Sequence, residues 1–188
     1  MPDTMKLIAR DLTVEIIAEN YGYNPKSADN ARRYERFYEF GEHRPSSCHG
    51  IRVHEGDREL ANAILMADGG ASGVHERSAV IAGHSIFVAV GSYVTRLSLP
   101  ALDLIFVTQA DTVTCFGVYS LPGSTDILSH GELEIARLDD AGRILWSSSG
   151  GDIFSGDFTL GPKTVRVVDF EGTVYFFDLV TGRSQDAG

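Results

Sequence analysis

Cysteine is scarce in this sequence. Cys48 and Cys115 stand 67 positions apart, with no CxxC pair. A secreted disulfide scaffold would need more, so free thiols in a reducing compartment are expected. Long hydrophobic runs are also missing, and no stretch approaches the roughly 20 apolar residues of a membrane helix. The start, Met1 to Arg10, carries Asp3 and Lys6 and no apolar core of signal-peptide length. These absences point to a cytoplasmic protein with no membrane partner. Positive charge is short as well: 16 Lys and Arg face 26 Asp and Glu, for a net charge of −10. The deficit falls almost entirely after residue 50, where 9 basic residues meet 18 acidic ones. That half would repel phosphates, so no nucleic-acid partner is expected.

What is present suits a turn-rich β protein. Twenty glycines punctuate many short apolar runs, and 43% hydrophobic content is enough for one real core. Within Leu7–Ala18, the alternation of Leu12, Val14 and Ile16 predicts a strand. Residues 19–31 form a loop by composition. Within Arg32–Arg44, Tyr34, Phe37 and Tyr38 fit a helical face, whereas Tyr34, Arg36, Tyr38 and Phe40 fit one face of a strand; aromatic enrichment favours the strand, which would pair with the first strand as a β-hairpin. Pro45–His49 reads as a turn, Gly50–His54 as a strand, Glu55-Gly56-Asp57 as a tight turn, Leu60–Met66 as a strand or helical turn and Ala67–Val74 as a glycine-rich loop. Strands are expected over Ala79–Ala82 and Ser85–Val90, then repeatedly to Leu179.

Three similar segments follow one another in the second half. Val94–Ser98 leads to Pro100–Phe106, Glu134–Asp139 to Gly142–Trp146, and Val174–Asp178 to Thr181–Arg183. Leu97, Leu138 and Phe177 hold the same place, 41 and 39 residues apart. An all-β period of roughly 40–45 residues is that of a propeller blade. Leu138-Asp139 followed by Gly142-Arg143-Ile144-Leu145-Trp146 resembles the repeat of quinoprotein-like (PQQ-like) β-propellers. Phe177-Asp178-Leu179-Val180-Thr181-Gly182-Arg183 is similar up to the turn. The first copy departs, with Ser98 for the aspartate, Pro100–Asp103 for the glycine turn and Phe106 for the tryptophan. The resemblance spans about residues 84–183 and implies blade-like four-stranded sheets. It brings no quinone, because no binding motif is matched. The chain also resembles small bacterial proteins that share the start Asn20-Tyr21-Gly22-Tyr23-Asn24-Pro25, a likeness that implies no activity.

The expected fold is therefore mostly β: a partial β-propeller-like array of antiparallel sheets with an N-terminal β segment. Residues 1–83 would pack on three blade-like repeats over 84–188 as one compact unit. Three blades are too few for a closed propeller. The N-terminal strands could supply the missing sheet, two chains could complete each other as a homodimer, or the sheets could stack as a sandwich.

Three constellations could carry chemistry. Tyr21, Tyr23, Arg32, Arg33, Tyr34, Arg36, Tyr38, His43 and Arg44 mix aromatic and guanidinium groups within 24 residues. That mix is enriched at binding hot spots and can also hold an anion. The opposing possibility is that the tyrosines pack and the arginines pair with Glu35, Glu39 and Glu42. The glycine-rich stretch Gly69–Val74 ends in His75-Glu76, without the lysine of a phosphate loop or the context of a nucleophile elbow. If SHGELEIA is one strand, His130, Glu132 and Glu134 share a face and could bind a divalent metal. His49 and His54, five apart, would lie on opposite faces, and Trp146 and Tyr175–Phe177 read as core.

The leading expectation is a non-enzymatic binding module without a cofactor, presenting the Arg/Tyr surface to a protein partner or small anionic ligand. The alternative is a hydrolase holding a divalent metal with His75, Glu76, His130, Glu132 and Glu134.

Overall fold

A computed structural model describes residues 4–185. Asp3, used above to read the N-terminus, lies outside them. Every regular element among the described residues is a β-strand. The strands form four sheets, in chain order, as a partial β-propeller-like array.

The first sheet holds β1 (Thr4–Ala9), β2 (Leu12–Ala18), β3 (Arg36–Phe40), β4 (Ser47–Glu55) and β5 (Arg58–Ala67), in the order β1-β2-β4-β5-β3. Leu7–Ala18 is thus two strands rather than one, turning at Arg10, whose φ is +55°. The expected hairpin between β2 and the Arg/Tyr strand is also corrected. β3 lies at the far edge and runs parallel to β5, Arg36 opposite Ala63 and Phe40 opposite Ala67. β2 instead pairs with β4, whose strand begins at Ser47, inside the expected turn.

The other three sheets are antiparallel meanders. The second holds β6 (Ala79–Ala82), β7 (Ser85–Val90), β8 (Tyr93–Ser98) and β9 (Leu104–Gln109). The third holds β10 (Cys115–Ser120), β11 (Ile127–Gly131), β12 (Glu134–Leu138) and β13 (Ile144–Ser149). The fourth holds β14 (Phe158–Leu160), β15 (Thr164–Val168), β16 (Val174–Asp178) and β17 (Ser184–Gln185).

Middle sheets are buried on both faces, which explains their unbroken apolar runs. Along β7, Ile86 and Val88 join Ile51, Val53 and Leu65 of the first sheet, whereas Phe87 and Ala89 join Val118 and Ile127 of the third. On β11, Ile127 faces the second sheet and Leu128 joins Val165 and Phe177 of the fourth. These clusters join neighbouring sheets. Among the described residues none of them joins the fourth sheet to the first.

The repeat motif builds the seams. Ser98, Asp139 and Asp178 each accept backbone N–H groups of their own hairpin turn, from Asp103, from Ala141 and Arg143, and from Val180 and Thr181. The preceding sheet then clasps that turn. Tyr38 donates to the Leu102 carbonyl at 2.9 Å, Thr108 to Gly142 at 2.6 Å and Ser148 to Gly182 at 2.5 Å. Arg36, Arg96 and Arg137 donate to Ala101, Asp140 and Leu179. Leu102, Gly142 and Gly182 all have positive φ. A Cβ on Gly142 or Gly182 would lie 2.6 Å from the ring of Phe106 or Trp146.

Candidate functional site

Most of the Arg/Tyr set serves packing. Tyr34 lies over Gly50, where a Cβ would sit 1.9 Å from its hydroxyl, and donates to Glu19 Oε1 at 2.7 Å. Burial, then the Glu19 carboxylate, drive its phenol pKa far up. Arg32 pairs with the same carboxylate at 3.2 Å, and Tyr23 donates to the Arg32 carbonyl. The Tyr23 and Tyr34 rings meet edge-on at 5.8 Å and cover Cys48, Ile64 and Met66. Arg36 and Tyr38 are consumed by the first seam, Arg36 also pairing with Asp103 at 3.1 Å. His43 is 3.3 Å from Asp68.

Tyr21, Arg33 and Arg44 stay at the surface, with Tyr21 67% exposed. Two clefts of about 420 and 320 Å³ share Tyr21, Arg44 and Pro45 as walls. Tyr23 and Glu39 complete the larger one, and Ala71 of the glycine-rich loop closes the smaller. Phe37, 58% exposed, faces the same side, since it pairs with Ile64 as Glu39 does with Met66. The sequence pattern admits Phe37 only on the rejected helical face, since the strand reading follows its even-numbered neighbours. The signal was there, because alternation leaves Glu35, Phe37 and Glu39 together on the other face.

The glycine-rich loop is a strap between sheets. Ser46 donates to the Gly69 carbonyl at 2.8 Å, Ser72 N–H donates to Ser47 Oγ, and Gly91 N–H donates to Ser72 Oγ. Gly70 N–H is taken by the Val113 carbonyl, and a Cβ there would lie 1.6 Å from Thr114 Oγ1. The Ser72 hydroxyl and two of the N–H groups are therefore already engaged. His49, deep in the first sheet, lies 3.2 Å from the Ser72 carbonyl, and burial pushes its pKa down to about 4. His54 sits on the opposite face, 3.4 Å from Glu59.

The acidic and histidine set divides. SHGELEIA is not one strand: β11 ends at Gly131, Glu132 and Leu133 turn, and β12 begins at Glu134. Asp111 sets that turn by accepting the Leu133 and Glu134 N–H groups at 2.8 and 2.9 Å. His130 pairs with Ile135, so both face the fourth sheet, while Glu134 faces the other way and accepts from Ser147 at 2.9 Å. Glu76 is exposed beside Arg77. Among the described residues no group of three His, Cys, Asp or Glu side chains could hold a metal.

His75 and His130 both line one cavity of about 380 Å³, walled also by Phe116, Tyr119, Phe154 and Phe158. His130 lies flat on Phe158 at 4.4 Å and edge-on to Phe116 at 5.4 Å. Burial pushes its pKa down to about 4, against a weaker pull from the Phe154 backbone. Tyr119 and Phe158 are shared with a cavity of about 530 Å³ where β1, β6, β10 and β14, the first strand of each sheet, converge. The Arg77 guanidinium lies 5.5 Å from the Tyr119 ring there.

No family model matches the chain, and no curated protein is similar to it. Among solved structures, the computationally designed Ika4 protein is 10% identical with a TM-score of 0.49, over 63% of this chain and 76% of that one. A europium-containing methanol dehydrogenase is 19% identical with a TM-score of 0.48, over 59% of this chain. The chain spans about a quarter (24%) of that dehydrogenase. No helix among the described residues is long and apolar enough to cross a membrane.

Proposed function

We propose that the protein is a non-enzymatic cytoplasmic binding module whose contact surface is formed by Tyr21, Phe37 and Arg44 on the outer face of the first sheet. Its partner is another protein. The observation that carries the reading is the pair of clefts sharing Tyr21, Arg44 and Pro45, beside two large aromatic side chains left more than half exposed. Aromatic and arginine side chains are the usual anchors of interface hot spots. The packed tyrosines beneath them give the surface a firm base. Two buried free cysteines suit a reducing compartment. The quinoprotein-like repeat contributes a scaffold and no cofactor. The metal-dependent hydrolase has less support, because only His75 and His130 of its five residues line a common cavity.

The test is capture of the partner by the protein and by a Tyr21→Ala, Arg44→Glu variant. Both positions are exposed, so the unfolding midpoint should hold while capture falls at least about tenfold. Retained capture contradicts the reading. Loss of binding to a small anion with retained protein capture would assign Arg44 to a ligand instead. Arg36 is unsuitable for such a test, since it anchors a seam.

A further inference from the structure

We propose that the 380 Å³ cavity between the third and fourth sheets binds a small neutral aromatic compound bearing a hydroxyl group, of the phenol class, with the hydroxyl on His130. His130 is only 7% exposed, and its Nε2 is buried with no hydrogen-bond partner. A buried polar atom without a partner costs on the order of 1–3 kcal/mol, a deficit that a bound polar group removes. A hydroxyl both donates and accepts, so it satisfies either tautomer of the neutral imidazole.

The walls select the rest of the ligand. Phe116, Tyr119, Phe154 and Phe158 line the cavity, and no Lys, Arg, Asp or Glu does. A charged ligand would leave water without a counter-charge, whereas a flat apolar ring gains stacking and burial. Phe158 already stacks on both Tyr119, at 4.5 Å, and His130, which fixes a planar surface. His75 is exposed, and its Nδ1 accepts the Arg77 N–H at 3.2 Å, so its Nε2 carries the proton in the neutral ring. The cavity is separate from the Tyr21 and Arg44 clefts, and the inference stands apart from the proposed protein partner.

Saturation-transfer NMR with phenol and with toluene, a ring of similar shape without the hydroxyl, tests this on the full chain. Titration of each gives an affinity ratio. His130→Phe keeps a stacking ring and removes the nitrogen, and the phenol-to-toluene ratio should fall about tenfold in that variant. Phenol without saturation transfer on the unmodified protein at millimolar concentration would overturn the proposal. So would a ratio unchanged by His130→Phe. If that variant fails to fold, competition decides on the unmodified protein: toluene must displace phenol, and failure to do so overturns a shared site.

Discussion

At the scale of single residues, two buried histidines make stability depend on pH. His130 is a candidate metal ligand in the sequence and His49 is not, yet both are buried and neutral, with pKa values pushed down to about 4 from 6.5. An unfolded chain would protonate each near 6.5. Unfolding therefore takes up protons between about pH 4 and 6.5, and stability falls as pH drops through that window. Each histidine should cost about 2 kcal/mol by pH 5. Asp68, Asp139 and Asp178, whose pKa values are lowered by hydrogen bonds they accept, extend the loss to more acidic pH. Urea unfolding at pH 7.5 and pH 5 checks this: a clearly lower midpoint at pH 5 is expected, and equal midpoints would contradict it. The local sequence could not show that His130 and Glu134 diverge. That depends on a turn at Glu132 set by Asp111, more than twenty residues away.

At the scale of elements, the repeat was legible because its signal is local. An aspartate capping its own turn, followed by a residue of positive φ, fits within a few positions of sequence. Its partner is not local: Phe106 clasps Gly142, and Trp146 clasps Gly182. Gly182→Ala and Gly142→Ala combine backbone strain with a clash and should cost about 3 kcal/mol each. Gly56→Ala has similar φ but open space around it and should cost about 1 kcal/mol. Equal losses in thermal unfolding would show that the rings do not matter to the seams. Gly50→Ala should expel Tyr34 from the first sheet and open residues 20–35 to limited proteolysis, with unchanged digestion as the contrary result. The strand β3 was expected, but its parallel pairing with β5 escaped prediction because its aromatic alternation is the same whether it pairs with β2 or with β5. Long-range register decides between them.

At the scale of the molecule, four sheets follow the chain in order, and apolar clusters tie each to the next. The N-terminal segment adds a five-stranded sheet to the three meanders, with β3 in the position from which it holds the second sheet. Its other face is covered in part by Tyr23 and Tyr34, which leaves Tyr21, Phe37 and Arg44 outward. The Arg/Tyr enrichment drew attention to this segment, but composition could not separate the residues that pack, such as Tyr34 and Arg36, from those that stay exposed, such as Tyr21 and Arg44. Covalent trapping separates a used surface from a merely exposed one. A photo-crosslinking amino acid placed at Tyr21 is compared with one at Phe170, equally exposed on the fourth sheet at 69%. A protein adduct is expected from position 21 and none from position 170. No adduct at 21, or the same adduct from both positions, would contradict it.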